Sequence, residues 1–357
     1  MKKKYFIIVP ADTPHGPVKG AYALANSIVE LRDVTLVTIK VGKGAQANLH
    51  PGVKKICLAD QVSGYLNKVR LYRSMLAEGG GRDKVVSISM CFSADLINAV
   101  CKDKAIICSS VRGNLLENYR IDYGLIGIPI AITQLLTLRI FDQVVAMTQP
   151  MAAQIAAYIG KQPTIIANFI DENMLESLRI EKRTDSVMRF VFVGSLSLRK
   201  RPHLVLQAIS EMHKMGMMVR LDYIGDGPLL VQIEEEIKKN NLCELVFVHG
   251  FQNEPYKMLQ EADVMVLPSI SEGTSRAVLE ALYLGVPCVM RTVDGNTELI
   301  TENYNGALFS KDNDLPDAMI RAAKLRKKFA VAPPILIPSE WRQKHAATTY
   351  IDLLESI

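Results

Sequence analysis

Short, mostly apolar runs alternate with helix-patterned stretches along this chain, and that alternation limits the fold more than any other feature. The runs fall at 5–9, 34–39, 84–89, 105–109 and 143–147, then at 189–193, 220–224, 245–248, 264–268, 287–290 and 307–309. Their apolar residues are consecutive rather than alternate, which marks strands buried on both faces. Helical stretches such as 21–31, 202–214 and 229–240 lie between them. Strands of this kind form parallel sheets with helices on either side, so the fold class is α/β. The 357 residues are enough for two such domains. The pattern sets the hinge at 168–171, giving a first domain over 1–167 and a second over 168–337. The segment 338–357 follows a proline-rich stretch and reads as a separate amphipathic helix.

Bulk composition removes several classes. A hydrophobic content of 49% with 22% charged residues excludes wholesale disorder, and no run reads as long and apolar enough to span a bilayer. The opening Met-Lys-Lys-Lys is basic like a signal peptide. Its apolar run is cut by Pro10 and Asp12, so a first buried strand is the better reading. Six cysteines without a Cys-x-x-Cys pair fit reduced thiols in a cytoplasmic protein. Residues 1–167 hold 20 lysines and arginines against 11 acidic residues, a net of +9, whereas the rest has 22 against 26, a net of −4. The basic first half suits an anionic partner, acidic lipid headgroups or a phosphorylated acceptor, or else is solubility charge alone. Nucleic acid is disfavoured because no basic-aromatic segment accompanies the charge.

The stretch 271–285, Ser-Glu-Gly-Thr-Ser-Arg-Ala-Val-Leu-Glu-Ala-Leu-Tyr-Leu-Gly, carries the clearest chemistry. It follows a strand stopped by Pro268. Thr274 or Ser275 can cap a helix running through Leu284, which Gly285 and Pro287 then end. The unpaired first amides and the dipole of such a helix favour a phosphate. Glu280, about a turn and a half in, could accept from a sugar diol of the same ligand. In 190–203 a strand runs into Gly194, and the loop that follows carries Arg199, Lys200 and Arg201 ahead of Pro202. Those cations can neutralise a phosphate, or form a solvated basic loop. Two more strands exit through glycine, at Gly225 in Gly-Asp-Gly-Pro and at Gly250 before Phe251. There backbone can approach a ligand or a nucleobase.

Together these segments resemble the second domain of a GT-B glycosyltransferase of the retaining family 4 type, which includes many bacterial polysaccharide and lipopolysaccharide sugar transferases. The agreement is ordered. It takes in a Gly-x-Leu loop with lysine at 194–200, Gly-Asp-Gly-Pro at 225–228 and an aromatic-x-x-Gly-Phe exit at 247–251. Ala-Asp-Val-x-Val-Leu-Pro-Ser follows at 262–269, then the Glu-x7-Glu pair Glu272 and Glu280. Gly-Val-Pro at 285–287 and Asn-Gly-x-Leu at 305–308 complete the series. The first half matches more loosely, through the loop around His15, Lys19 and Gly20, the strand ends near Arg112, and Asn-Phe-Ile-Asp at 168–171.

The resemblance implies two Rossmann-like domains facing across a cleft, with the last helix crossing back to the first. It implies transfer of a hexose or N-acetylhexosamine from a nucleotide diphosphate sugar, with UDP the family-weighted carrier, to a saccharide or lipid-linked saccharide acceptor. Glu280 would hold the ribose, and Lys200 would pair with the diphosphate. Gly273, Thr274 and Ser275 would support both diphosphate and sugar, with Glu272 beside the transferred sugar. Gly194, Ser195, Arg199, Gly225 and Phe251 complete the donor side. Arg276 adds a cation if it turns inward, and none if it turns outward. His15, Lys19, Gly20 and Arg112 are the acceptor-side candidates.

Two departures from the family stand out. Ser195 occupies the place of its usual arginine, which Arg199 or Arg201 could replace. The fourth-strand histidine is missing from 87–92. No cofactor is implied: the Asp-x-Asp spacing at 312–314 sits where the family has variable surface, and basic groups make a metal unnecessary. The uncharged segment 123–138 reads either as a membrane-facing surface, peripheral on the inner face of the cell membrane, or as a helix buried in the first domain. Rival readings are a nucleotide-sugar epimerase and a non-catalytic nucleotide-sugar binding protein of the same fold. A nicotinamide dehydrogenase is disfavoured because no Gly-x-Gly-x-x-Gly follows the first strand.

Overall fold

The apolar runs become parallel strands in a computed structural model that describes residues 2–13, 16–42, 49–179, 186–293, 295–329 and 333–357. The chain divides into two compact units, residues 1–170 with 339–357, and residues 171–338. In the first, the described strands are β1 (Lys4–Ala11), β2 (Val34–Lys40), β3 (Lys54–Cys57), β4 (Val85–Ser89), β5 (Ile106–Ser110), β6 (Gln143–Ala146) and β7 (Thr164–Ile165). They form one parallel sheet in the order β3-β2-β1-β4-β5-β6-β7. Its helices are α1 (Gly16–Ile28), α2 (Tyr65–Glu78), α3 (Phe92–Ala99), α4 (Leu115–Tyr123), α5 (Gly127–Thr137) and α6 (Gln149–Ile159).

β1 shows why its sequence is apolar throughout. Tyr5, Ile7 and Val9 enter the core shared with α1, whereas Phe6 and Ile8 enter the core on the other face. Each fully buried aliphatic or aromatic side chain stabilises the sheet by about 1.5–3 kcal/mol. β3 escaped the sequence reading because it is a short edge strand whose Lys54 and Lys55 face solvent, so no apolar run marks it. α1 begins at Gly16 rather than 21, since Pro17 fits a first helical turn, where its missing N–H costs nothing.

The second unit contains β8 (Met188–Val193), β9 (Val219–Ile224), β10 (Val246–Val248), β11 (Val264–Leu267), β12 (Cys288–Arg291) and β13 (Gly306–Phe309), all parallel in the order β10-β9-β8-β11-β12-β13. Its helices are α7 (Glu172–Glu176), α8 (Pro202–Lys214), α9 (Leu230–Lys239), α10 (Tyr256–Glu261), α11 (Arg276–Tyr283), α12 (Asn296–Leu299) and α13 (Leu315–Lys328). A 3-10 turn at Ser339–Trp341 then leads into α14 (Gln343–Glu355), which belongs to the first unit. There Tyr350, Ile351 and Leu354 pack into the core beside α1, and the Tyr350 hydroxyl meets Ser110 Oγ at 2.7 Å.

Both sheets reverse direction at a switch point, between β1 and β4 in one and between β8 and β11 in the other. Ligands of open parallel sheets bind outside the carboxyl ends of the strands at such points.

The segment 115–140 corrects one expectation, because by length and composition it could cross a bilayer. It does not run straight. α5 folds back on α4, and the Tyr119 hydroxyl donates to Gln134 Oε1 at 3.0 Å. Those residues would be about 22 Å apart along one helix. The turn of this hairpin exposes apolar side chains to solvent, with Tyr123, Leu125 and Ile126 exposed by 60%, 81% and 74%.

Candidate functional site at the second switch point

Three strand exits of the second unit are joined backbone to backbone. Gly194 N–H donates to the Ile224 carbonyl at 3.0 Å, Gly225 N–H to the Gly250 carbonyl at 2.8 Å, and Leu196 N–H to the Asp226 carbonyl at 3.0 Å. A Cβ on Gly225 would lie 1.9 Å from the Gly194 carbonyl oxygen, and its φ of +151° also favours glycine. Gly225 is glycine because the loops touch, whereas Gly194 and Gly250 have room for a Cβ and are favoured instead by their positive φ of +155° and +66°. Phe251, beyond the third exit, is half exposed on the same edge.

The loop after β8 is then tied to the loop after β11. Ile270 N–H donates to the Arg199 carbonyl at 3.0 Å, and Arg199 Nη1 donates back to the Ser271 carbonyl at 2.9 Å. Lys200 Nζ donates to Glu272 Oε1, and Arg199 Nη1 lies 3.4 Å from the same oxygen. This cluster is largely buried, the side chains of Lys200 and Glu272 being 12% and 8% exposed. Burial pushes the Glu272 carboxyl up, but Lys200 and then Arg199 outweigh it and hold the group below its usual range. Burial pulls the Lys200 ammonium down, and Glu272 only partly offsets this. Two cations around one buried carboxylate leave an excess of positive charge, the electrostatics that suit an anion.

α11 follows at Arg276. Ser275 holds the cap position with extended backbone, but its hydroxyl makes no capping hydrogen bond, contrary to expectation. Gly273, Thr274 and Ser275 form its buried approach. Arg276 turns inward along the helix, its Nε 3.8 Å from Glu280 Oε1, so the carboxylate proposed for a diol carries its own guanidinium neighbour. Ser195 is exposed on the first loop.

Arg201 is the clearest correction. It is not available to replace the missing arginine, because both arms of its guanidinium donate to Asp312, at 3.0 and 2.7 Å. The Asp-x-Asp at 312–314 is likewise committed: Asp312 also accepts from Arg291, and Asp314 Oδ2 accepts from the Lys311 amide at 3.2 Å. Among the described residues no three metal-ligating side chains come together.

On the first unit, His15 lies outside the described residues. Lys19 and Gly20 lie on α1. A Cβ on Gly20 would stand 2.3 Å from Arg112 Nη2, so this glycine makes room for the arginine. Arg112 in turn donates to Asn168 Oδ1 at 2.7 Å and lies over the Phe169 ring. Sequence reading missed a buried polar cluster in the same unit. Asp95, fully buried on α3, accepts from Ser89 and Ser109 at 2.7 and 2.8 Å and from Gln134 at 2.9 Å. Serines in otherwise apolar strands were the available signal.

With this geometry in view, the family described as Glycosyl transferases group 1 matches residues 176–330. Those residues are a glycosyl transferases group 1 domain. An uncharacterized glycosyltransferase of Methanocaldococcus jannaschii, MJ1059, is 25% identical over 189 residues, 50% of this chain and 46% of that protein. The UDP-Gal:alpha-D-GlcNAc-diphosphoundecaprenol alpha-1,3-galactosyltransferase of Escherichia coli is 30% identical over 136 residues, 37% of this chain and 35% of that protein. The chain thus spans less than half of these relatives. The crystal structure of Anabaena Alr3699/HepE in complex with UDP and glucose superposes with a TM-score of 0.79 at 16% identity, covering 99% of this chain and 100% of that one. The fold is therefore GT-B, its glycosyl transferases group 1 domain holding the Lys200–Glu272 cluster at the switch point.

Proposed function

We propose that this protein is a retaining glycosyltransferase that moves a hexose or N-acetylhexosamine from a UDP-sugar to the hydroxyl of a lipid-linked oligosaccharide in surface polysaccharide assembly. The observation that carries the reading is the buried Lys200–Glu272–Arg199 cluster beside the start of α11, within a glycosyl transferases group 1 domain. The names of the relatives support the carrier and acceptor classes, since one uses UDP-galactose and a diphosphoundecaprenol acceptor.

In this reading the diphosphate shares Lys200 with Glu272, and the amides of 273–276 face its remaining oxygens. Glu280 accepts from the ribose hydroxyls, with Arg276 fixing its direction. The bond from the anomeric carbon to the phosphate oxygen breaks through an oxocarbenium-like state, and Lys200 and Arg199 stabilise the charge arriving on the leaving diphosphate. The acceptor oxygen attacks from the same face, and its proton passes to the departing phosphate oxygen. Glu272 lies against the transferred sugar. Cations and helix amides carry the leaving-group charge, so no metal ion is required. His15, Lys19, Gly20 and Arg112 form the acceptor side of the first unit.

The net positive first half and the exposed Tyr123, Leu125 and Ile126 support peripheral contact with an anionic membrane, on its cytoplasmic face. The test is the anomeric configuration of product formed from UDP-sugars and a lipid-linked acceptor, read by NMR with and without a chelator. Retention that survives chelation is expected. Inversion, dependence on a divalent ion, or donor conversion with no acceptor would each contradict the proposal.

A further inference from the structure

Arg199, Lys200 and Arg201 leave one loop in two directions. The first two reach Glu272, whereas Arg201 reaches Asp312 beyond the end of β13. Arg201 does this from a left-handed backbone, φ 50° and ψ 51°, at the start of α8. That conformation is unfavourable for a residue with a side chain and free for glycine. A side chain kept there therefore has work that glycine could not do.

Asp312 is itself pinned. Its Oδ1 accepts from Arg291 as well as from Arg201. Arg291 is fixed in turn, donating to the Ser310 carbonyl at 2.9 Å and lying over the Phe309 ring at 4.8 Å. Two arginines thus meet on one carboxylate, tying together the exits of β8, β12 and β13. In the sheet order β11, whose exit carries Glu272, lies between β8 and β12. At the loop end, Lys200 and Arg201 amides both donate to the Ser197 carbonyl, at 3.1 and 3.0 Å, closing the turn on which Lys200 stands.

We propose that Arg201, Asp312 and Arg291 form a brace that positions Lys200 for its anionic ligand without touching that ligand. This rests on the nucleotide-sugar reading of the Lys200–Glu272 cluster. With its guanidinium engaged at both arms, Arg201 is a positioning residue. Asp312 is the anchor it pulls against. Loss of either lets the 197–201 turn relax and the Lys200 ammonium drift from its place.

Calorimetric titration of the full chain with UDP, paired with thermal unfolding, separates this from other roles. Arg201→Gly removes the backbone strain with the side chain, so its midpoint should hold or rise while UDP affinity falls about tenfold. Asp312→Ala should lose affinity to a similar degree, and the double variant should lose no more than either single one. Arg201→Lys should recover part of the loss. If Arg201 touched the ligand directly, Asp312→Ala would free it, and affinity would hold or improve. That result overturns the brace, as does unchanged affinity in Arg201→Gly or additive losses in the double variant. Amide exchange over 197–201 without nucleotide reads the brace itself. Faster exchange in both variants supports it, and unchanged exchange overturns it. Because this readout needs no ligand, failure of the wild-type chain to bind UDP, GDP or dTDP would count against the nucleotide-sugar reading and leave the brace separately measured.

Discussion

The two units share a strand order about their switch points yet treat a buried carboxylate in opposite ways. In the second unit Glu272 meets Lys200 and Arg199, which hold it charged despite burial. In the first, Asp95 meets two serines and a glutamine, and burial pushes its carboxyl up to about 6. One architecture thus carries one buried carboxylate paired with cations and another enclosed by uncharged partners. Topology says where a ligand binds, and only the side chains say which kind.

The sharpest way to break this contrast is to remove the cation. Lys200→Ala should lower sugar transfer by on the order of 100- to 1000-fold, the range for losing a group aimed at developing charge. It should also destabilise the second unit by roughly 3–5 kcal/mol, because Glu272 is left buried without its ammonium. Steady-state kinetics and thermal unfolding check the two effects. The pH profile follows from the same pair. Since burial lowers the Lys200 pKa, donor binding should disappear on the alkaline side below the usual lysine value of 10.5, as the ammonium loses its proton.

Asp95 supplies the converse test, read in stability. Its pKa is raised in the folded state from 3.8 to about 6, so the folded form binds the extra proton. Stability is fully present below the unfolded value and is lost as pH rises through about 6, by about 3 kcal/mol. Urea unfolding at pH 4.5 and 7.5 should show about 2 kcal/mol of that fall for the wild type, and Asp95→Asn should flatten it. A flat wild-type profile would mean that the serines and Gln134 solvate the carboxylate fully.

Smaller effects refine the picture. Glu280→Gln should raise the donor KM about tenfold with little change in kcat, the signature of uniform binding. Leu125→Asp with Ile126→Asp should weaken sedimentation with anionic vesicles several-fold while leaving transfer to a free saccharide acceptor unchanged. Ser195→Arg should tighten UDP binding a few-fold, because the exposed serine leaves room for another phosphate contact.

Much of this is legible in the amino-acid sequence. The strands that are buried on both faces announced themselves as apolar runs, and the ordered segments from Gly194 to Leu308 pointed to the site. What escaped depends on partners distant in sequence. Arg201 reads as one more cation for phosphate, and only a carboxylate 111 residues away turns it aside. β3 has no apolar run, since its lysines face solvent at a sheet edge. The segment 115–140 has the composition of a spanning helix, but local pattern cannot reveal that Tyr119 meets Gln134. Asp95 was silent because a single aspartate in a helix looks like surface until two strand serines are seen to enclose it.

The central claim is that Lys200 and its neighbours bind the diphosphate of a nucleotide sugar. Calorimetry with UDP-, GDP- and dTDP-sugars, run on the wild type and on Lys200→Met, tests it directly. The account predicts that the wild type binds at least one of these donors and that the folded variant binds it about 100-fold more weakly. No binding by the wild type, or equal binding by both proteins, would contradict it.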